Sequence, residues 1–121
     1  MARLAILGSA QSPTRKAEFL RVARESGFDL RRLAKRLGVS ERTVKRFIRH
    51  SYDRRAAEWL KEQRLNLSLH YLTEFRCVKQ AAHEAGFKQQ AHYAREFKKV
   101  FRLTPTAYLT ITQETHSVPF G

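Results

Sequence analysis

The chain has a single cysteine, Cys77, which excludes an intramolecular disulfide and a multi-thiolate metal site and fits a reducing compartment, by default the cytoplasm. Long apolar runs are missing too. Leu4 to Leu7, the one short run near the start, is smaller than the core of an export signal and far below a membrane span, so neither export nor membrane insertion is expected. No stretch alternates apolar and polar residues as a half-buried strand would. Acidic residues are scarce: 11 Asp and Glu face 24 Lys and Arg, for a formal charge of +13. Such an excess favours polyanions through counterion release, with nucleic acid, an anionic membrane surface and an acidic protein as candidates.

Catalytic signatures are also absent. There is no HExxH pair, no Gly-rich phosphate loop, and Ser9 after Gly8 lacks the preceding strand of a nucleophile elbow. His83 and His92 lack the Cys or carboxylate set that would complete a metal site, so neither enzyme activity, cofactor nor metal is expected. What remains is a chain of 121 residues, 42% apolar and 11% aromatic. That is enough for one compact domain or two very small ones, and too apolar for a disordered polycation.

Helix signals run along it. Ser12 and Pro13 form a cap and first-turn pair opening a helix over 13–26. Its apolar face is either Ala17, Leu20 and Ala23 or Phe19, Val22 and Ala23, and Gly27 can end it. Asp29 caps a helix over 30–37 that buries Leu30, Leu33, Ala34 and Leu37, with Gly38 for the tight turn. Ser40 caps the next, with Val44, Phe47 and Ile48 inward and a cationic outer face. Asp53 can cap a longer helix over 55–72 on Ala56, Trp59, Leu60, Leu67, Tyr71 and Leu72, and a connection over 73–76 follows. Val78, Ala81, Ala82 and Ala85 form a small-residue face stopped by Gly86, and a helix over 90–101 follows on Tyr93, Ala94, Phe97, Val100 and Phe101. Thr104 before Pro105 opens a last turn or two through Tyr108. The fold class expected is all-α, with about seven helices.

The chain repeats itself. Ala34 and Gly38 recur 48 positions on as Ala82 and Gly86; Val44, Arg46 and Ile48 recur 49 positions on as Tyr93, Arg95 and Phe97. A helix with Ala inside, a Gly turn and a second helix make a helix-turn-helix pattern, because the small residue lets the helices cross closely; the alternative is a pair of ordinary αα-corners. The expected organisation is a flexible extension (1–12), a first helix-turn-helix subdomain (13–54), the linker helix (55–72), a second subdomain (73–110) and a flexible tail (111–121). A linker of some 17 residues spans roughly 25 Å. With the offset of each unit, this places the two second helices about one DNA turn, about 34 Å, apart, so one chain could enter successive major grooves as a monomer.

These motifs carry a resemblance. AGFKQQAHYAREFKKVFRLTPTAYL, LGVSERTVKRFI and EWLKEQRLNLSLHYL resemble the DNA-binding domain of the AraC/XylS family of bacterial transcription regulators, over about 13–109. The resemblance implies seven helices, two helix-turn-helix units joined by a linker, double-stranded DNA as partner, and for activation a surface that engages RNA polymerase. Most members carry an effector-binding and dimerisation domain before this region. About a dozen residues precede it here, so the stand-alone members, or an excised fragment, are the expectation. Asp53 stands where members usually have Gly, Ser68 where they often have Ala, and Gln89 where a Ser or Asp cap is usual. The first bears on the turn and the last weakens a cap.

In the first unit, Arg42 and Lys45 are the expected base readers, since they lie early on the second helix and guanine O6 and N7 accept from Arg bidentately. The resemblance adds Arg46 at the DNA, and Arg49, near the helix end, suits phosphate. Glu41 either accepts from a cytosine amine or is a favourable first-turn acid. The second unit offers Gln90, His92 and Arg95 to bases and Lys98 and Lys99 to phosphate, for weaker readout. Arg31, Arg32, Lys35 and Arg36 line the first unit's other exposed surface. Arg64, Trp59, Phe87, Phe97 and Phe101 are assigned structural roles, and Cys77 helix-end packing.

The expected function is a sequence-specific transcription regulator. The rivals are a non-specific architectural DNA binder, for which +13 alone would suffice, and a membrane or protein-docking role for the basic helix over 13–26. Arg and Lys on the early face of a second helix separate the reader from the architectural binder.

Overall fold

The computed structural model describes residues 13–117, and within them seven helices and no strand: α1 (Pro13–Glu25), α2 (Leu30–Leu37), α3 (Glu41–Tyr52), α4 (Ala56–Phe75), α5 (Val78–Glu84), α6 (Gln90–Phe101) and α7 (Pro105–Ser117). Ser12 and the expected extension over 1–12 lie outside the described residues, as does the tail over 118–121. No helix among the described residues is long and apolar enough to cross a membrane.

Short polar side chains start the helices where the sequence places them. Asp29 Oδ1 accepts from the Arg32 amide at 2.9 Å, Ser40 Oγ from the Thr43 amide at 3.1 Å, and Thr104 Oγ1 from the Ala107 amide at 3.1 Å. One motif ends three of them. Each helix closes on an alanine carbonyl that accepts from the amide of an apolar residue five positions on, Phe28 to Ala23, Val39 to Ala34 and Phe87 to Ala82, with left-handed Gly27, Gly38 and Gly86 between. This is the Schellman arrangement, and it satisfies carbonyls that the helix end would leave orphaned.

Contacts divide the chain between Gln63 and Arg64, within α4. In the first unit, α1 buries Phe19, Val22 and Ala23 and leaves Ala17 and Leu20 exposed, which decides between the two stripes the sequence allows. Phe19 meets Phe47 at 4.4 Å between ring centroids and Trp59 at 5.9 Å, and Tyr52 stacks on Trp59 at 4.6 Å. In the second unit Leu65, Leu72, Ala81, Ala82, Ala85, Phe87, Tyr93 and Phe97 form the core. The Tyr93 hydroxyl donates to Ser68 Oγ at 2.8 Å, and Ser68 Oγ donates to the Leu65 carbonyl at 2.6 Å. The serine therefore completes a buried polar chain, which an alanine there would break. Burial pushes the Tyr93 phenol up to about 12.

Five expectations are corrected. Asp53 does not cap α4: it ends α3 at φ 52, its amide donating to the Arg49 carbonyl. A short polar side chain tolerates this left-handed position, where the resembling family usually has glycine. The connection expected over 73–76 is mostly helix, since α4 continues to Phe75, Tyr71 stacks on Phe75, and Arg76 takes the left-handed turn at φ 52. In α4, Leu65 and Ser68 are the buried residues of the stretch where Leu67 and Tyr71 were expected, and those two are half-buried. Cys77 does not pack; it is exposed at the start of α5. The helix from Pro105 runs to Ser117 rather than ending near Tyr108. Arg76 secures it, its guanidinium donating to the Leu109 carbonyl at 2.8 Å and to Thr112 Oγ1 at 3.1 Å.

Candidate nucleic-acid interface

Each unit carries a short helix, a glycine turn and a second, amphipathic helix. In the first, Gly38 (φ 71) bends α2 into α3, and Ser40 caps α3. Val44, Phe47 and Ile48 are buried, which forces the intervening positions outward: Arg42, Lys45, Arg46 and Arg49 are exposed, as expected. Among the described residues Arg42, Lys45 and Arg46 have no ion-pair partner, whereas Arg49 Nε lies 3.9 Å from Asp53 Oδ1. On α2, Arg31, Arg32, Lys35 and Arg36 are exposed, and Arg36 donates to Glu25 at 3.0 Å.

In the second unit, Gly86 (φ 91) makes the turn, and its missing side chain matters twice: a Cβ there would meet the Arg64 Cδ at 3.3 Å. The Arg64 guanidinium lies over the Phe87 ring, 5.6 Å from its centroid, so this residue packs against the turn. The one-residue difference between the repeat offsets is an extra turn residue: the glycines are 48 positions apart, the caps Ser40 and Gln89 are 49 apart. Gln89 has extended backbone angles but makes no side-chain cap hydrogen bond. Gln89→Ser is therefore expected to stabilise the second unit by about 0.5–1 kcal/mol, by supplying the missing acceptor. Denaturant unfolding followed by far-UV circular dichroism checks this; an unchanged midpoint would count against it.

On α6, Tyr93 and Phe97 are buried, and Gln90, His92, Arg95, Lys98 and Lys99 are exposed. Glu96, not among the residues expected at the site, is 7% exposed and lies between the two core aromatics. Its Oε2 accepts from Lys99 Nζ at 3.1 Å and lies 3.9 Å from His92 Nε2. The i+3 spacing to Lys99 and the i−4 spacing to His92 were a legible signal. Two expected DNA contacts on α6 thus share one carboxylate. His92 also packs edge-on against Phe87, with ring centroids 5.8 Å apart. Applying the 49-residue offset, Ala91 and Ala94 stand where α3 carries Arg42 and Lys45, and Glu96 stands where it buries Phe47. Of the two second helices, α6 is the less cationic. Among the described residues no cluster of His, Cys, Asp or Glu could hold a metal ion.

A family model for a helix-turn-helix domain, of the AraC type, matches residues 33–111, from within α2 into α7. The chain belongs to the AraC/XylS family. No curated protein and no solved structure matches it. The match takes in both glycine turns and both second helices, so the internal repeat is the double helix-turn-helix of this AraC-type domain. The domain is a DNA-binding transcription regulator, and a helix-turn-helix domain of this kind is a regulatory module rather than an enzymatic one. The Asp53, Ser68 and Gln89 departures each have a local outcome here: a left-handed helix end, a buried hydrogen-bond chain and an uncapped helix start.

Proposed function

We propose that this AraC-type domain recognises a bipartite DNA sequence as a monomer, with α3 and α6 in successive major grooves. Arg42, Lys45 and Arg46 read base edges from α3, and Gln90, His92 and Arg95 do so from α6. Arg49 and Lys98 contact phosphate, as does Lys99 once it leaves Glu96. The observation that carries this reading is the α3 surface: three cations, exposed and without ion-pair partners among the described residues, on the early part of a helix whose opposite face is core. A helix that only coated DNA would gain nothing from that placement. Activation would require a surface that engages RNA polymerase, which is an inference from the family alone.

Random-site selection tests the proposal. The expected result is two short conserved blocks about ten base pairs apart, matching two grooves on one face. A single block would leave one functional unit, and no enrichment would make the domain a non-specific architectural binder.

A further inference from the structure

Among the described residues four that are not glycine take left-handed backbone angles: Phe28 (φ 54), Asp53 (φ 52), Arg76 (φ 52) and Arg102 (φ 67). A β-carbon makes that region costly, by a factor of about 5–30 in the folding equilibrium, so each calls for something that offsets it. Three have it. Phe28 is buried against Trp59, with ring centroids 6.2 Å apart; Asp53 is short and polar and lies 3.9 Å from Arg49; Arg76 holds α7 through the Leu109 carbonyl. Arg102 does not. Its amide closes α6 on the Lys98 carbonyl at 2.9 Å, a bond that glycine would make equally, and its side chain is exposed with no hydrogen-bond or ion-pair partner among the described residues. The repeat sharpens the contrast: Arg102 stands 49 positions after Asp53, so the two second helices end on the same backbone turn with opposite charges. In the first unit the acid lies beside Arg49, whereas at the matching place in the second both Lys98 and Arg102 are exposed cations without an ion-pair partner among the described residues. A helix C-terminus favours cations, but Lys98 and Lys99 already supply two in the last turn, so the dipole does not explain a third at a strained position. In the free protein Arg102 is disfavoured by its backbone and by the like charge one turn back, and an anion would relieve the second.

We infer that Arg102 is a DNA-phosphate contact of the second unit, one that the first unit, ending on Asp53, lacks. This rests on the proposed placement of α6 at the DNA. Arg95, Lys98 and Arg102 are all exposed and follow one another at steps of three and four, so the cationic edge that begins at a base reader runs out past the end of the helix. A guanidinium suits that place, since its fork of donors matches two phosphate oxygens. The contact gives the less cationic of the two second helices a further hold on the backbone.

The test joins two measurements on the full chain and its variants: denaturant unfolding followed by far-UV circular dichroism, and the salt dependence of binding to the selected site and to random-sequence duplex. Each phosphate contact adds about 0.9 to the slope of log affinity on log salt, a loss of about three- to fourfold between 50 and 200 mM salt. Arg102→Gly removes the strain and the charge together. It is expected to raise the unfolding midpoint while flattening the slope by about 0.9 on both DNAs, so that a more stable protein binds less tightly. Arg102→Asn, neutral but tolerant of the left-handed region, should flatten the slope equally, and Arg102→Lys should retain it. A midpoint that falls in Arg102→Gly would show the side chain holding the fold and overturn the inference. So would an unchanged slope in Arg102→Gly beside a flattened one in Lys98→Gln, which would leave α6 on the DNA without this contact. Equal flattening by Arg24→Gln, an exposed charge on α1 outside both helix-turn-helix pairs, would overturn it as well, by reducing the effect to net charge. If neither Lys98→Gln nor Arg102→Gly changes the slope, the placement of α6 at the DNA fails and the inference with it. If the parent prefers no sequence yet Arg102→Gly flattens the slope on random duplex, base reading fails and the phosphate contact stands.

Discussion

Phe97→Ala is expected to destabilise the second unit by about 3–5 kcal/mol, the usual cost of emptying a buried aromatic site. Phe97 is fully buried, and its ring meets Tyr93 at 5.6 Å, Phe101 at 4.6 Å and Tyr108 at 6.1 Å between centroids, so it ties α6 to itself and to α7. Small domains rarely have much more than 5 kcal/mol in hand, which puts this unit near or past its midpoint. The single tryptophan makes the result readable. Trp59 packs among Phe19, Phe28 and Tyr52 in the first unit, so its fluorescence reports that unit, while far-UV circular dichroism reports all the helices. The variant should lose part of its helical signal in mild denaturant before Trp59 emission shifts. Coincident loss of both signals at one midpoint would show instead that the two units unfold as one.

Arg42→Ala is expected to weaken binding to the selected site by about 1–3 kcal/mol, roughly 5- to 150-fold, and to relax preference at one base position. Arg42 lies in the first turn of α3, exposed, on a helix whose start is fixed by the Ser40 cap and whose opposite face is locked by Val44, Phe47 and Ile48. With the start of α3 fixed by that frame, the expected loss is of a directed donor pair as well as a charge. At the same repeat position α6 has Ala91, so the substitution gives the first unit the chemistry the second already has there. Arg31→Ala, which removes an exposed charge from α2, is the control, with a small loss equal on every DNA. Competition binding against random duplex checks both. An Arg42→Ala loss of the same size on the selected site and on random DNA would reduce this side chain to a phosphate contact.

Much of this was legible in the residues because the governing interactions are local. A Ser, Asp or Thr before a helix, a glycine after one and apolar spacing every three or four residues act over a single turn. So Asp29, Ser40, Gly38 and Gly86 could be placed from sequence, as could the exposed row on α3. The repeat came from the same rules applied twice. Local rules also misled. Asp53 satisfies the requirements for starting one helix and for ending another, and only its left-handed φ of 52° distinguishes them.

The sequence by itself determined the all-helical class, the two glycine turns, the cationic surface of α3 and the weak cap at Gln89, because each follows from backbone and side-chain chemistry within a few residues. Tertiary structure decided the rest. Which stripe of α1 is buried depends on Phe47 and Trp59, and Ser68 gains its partner from Tyr93, 25 residues away. The length of α7 depends on Arg76, 33 residues before the carbonyl it holds. Glu96 became a buried acid because the Tyr93 and Phe97 face of α6 turns inward. Burial is a property of what other segments bring to a face, and spacing along one helix cannot tell how wide that face will be.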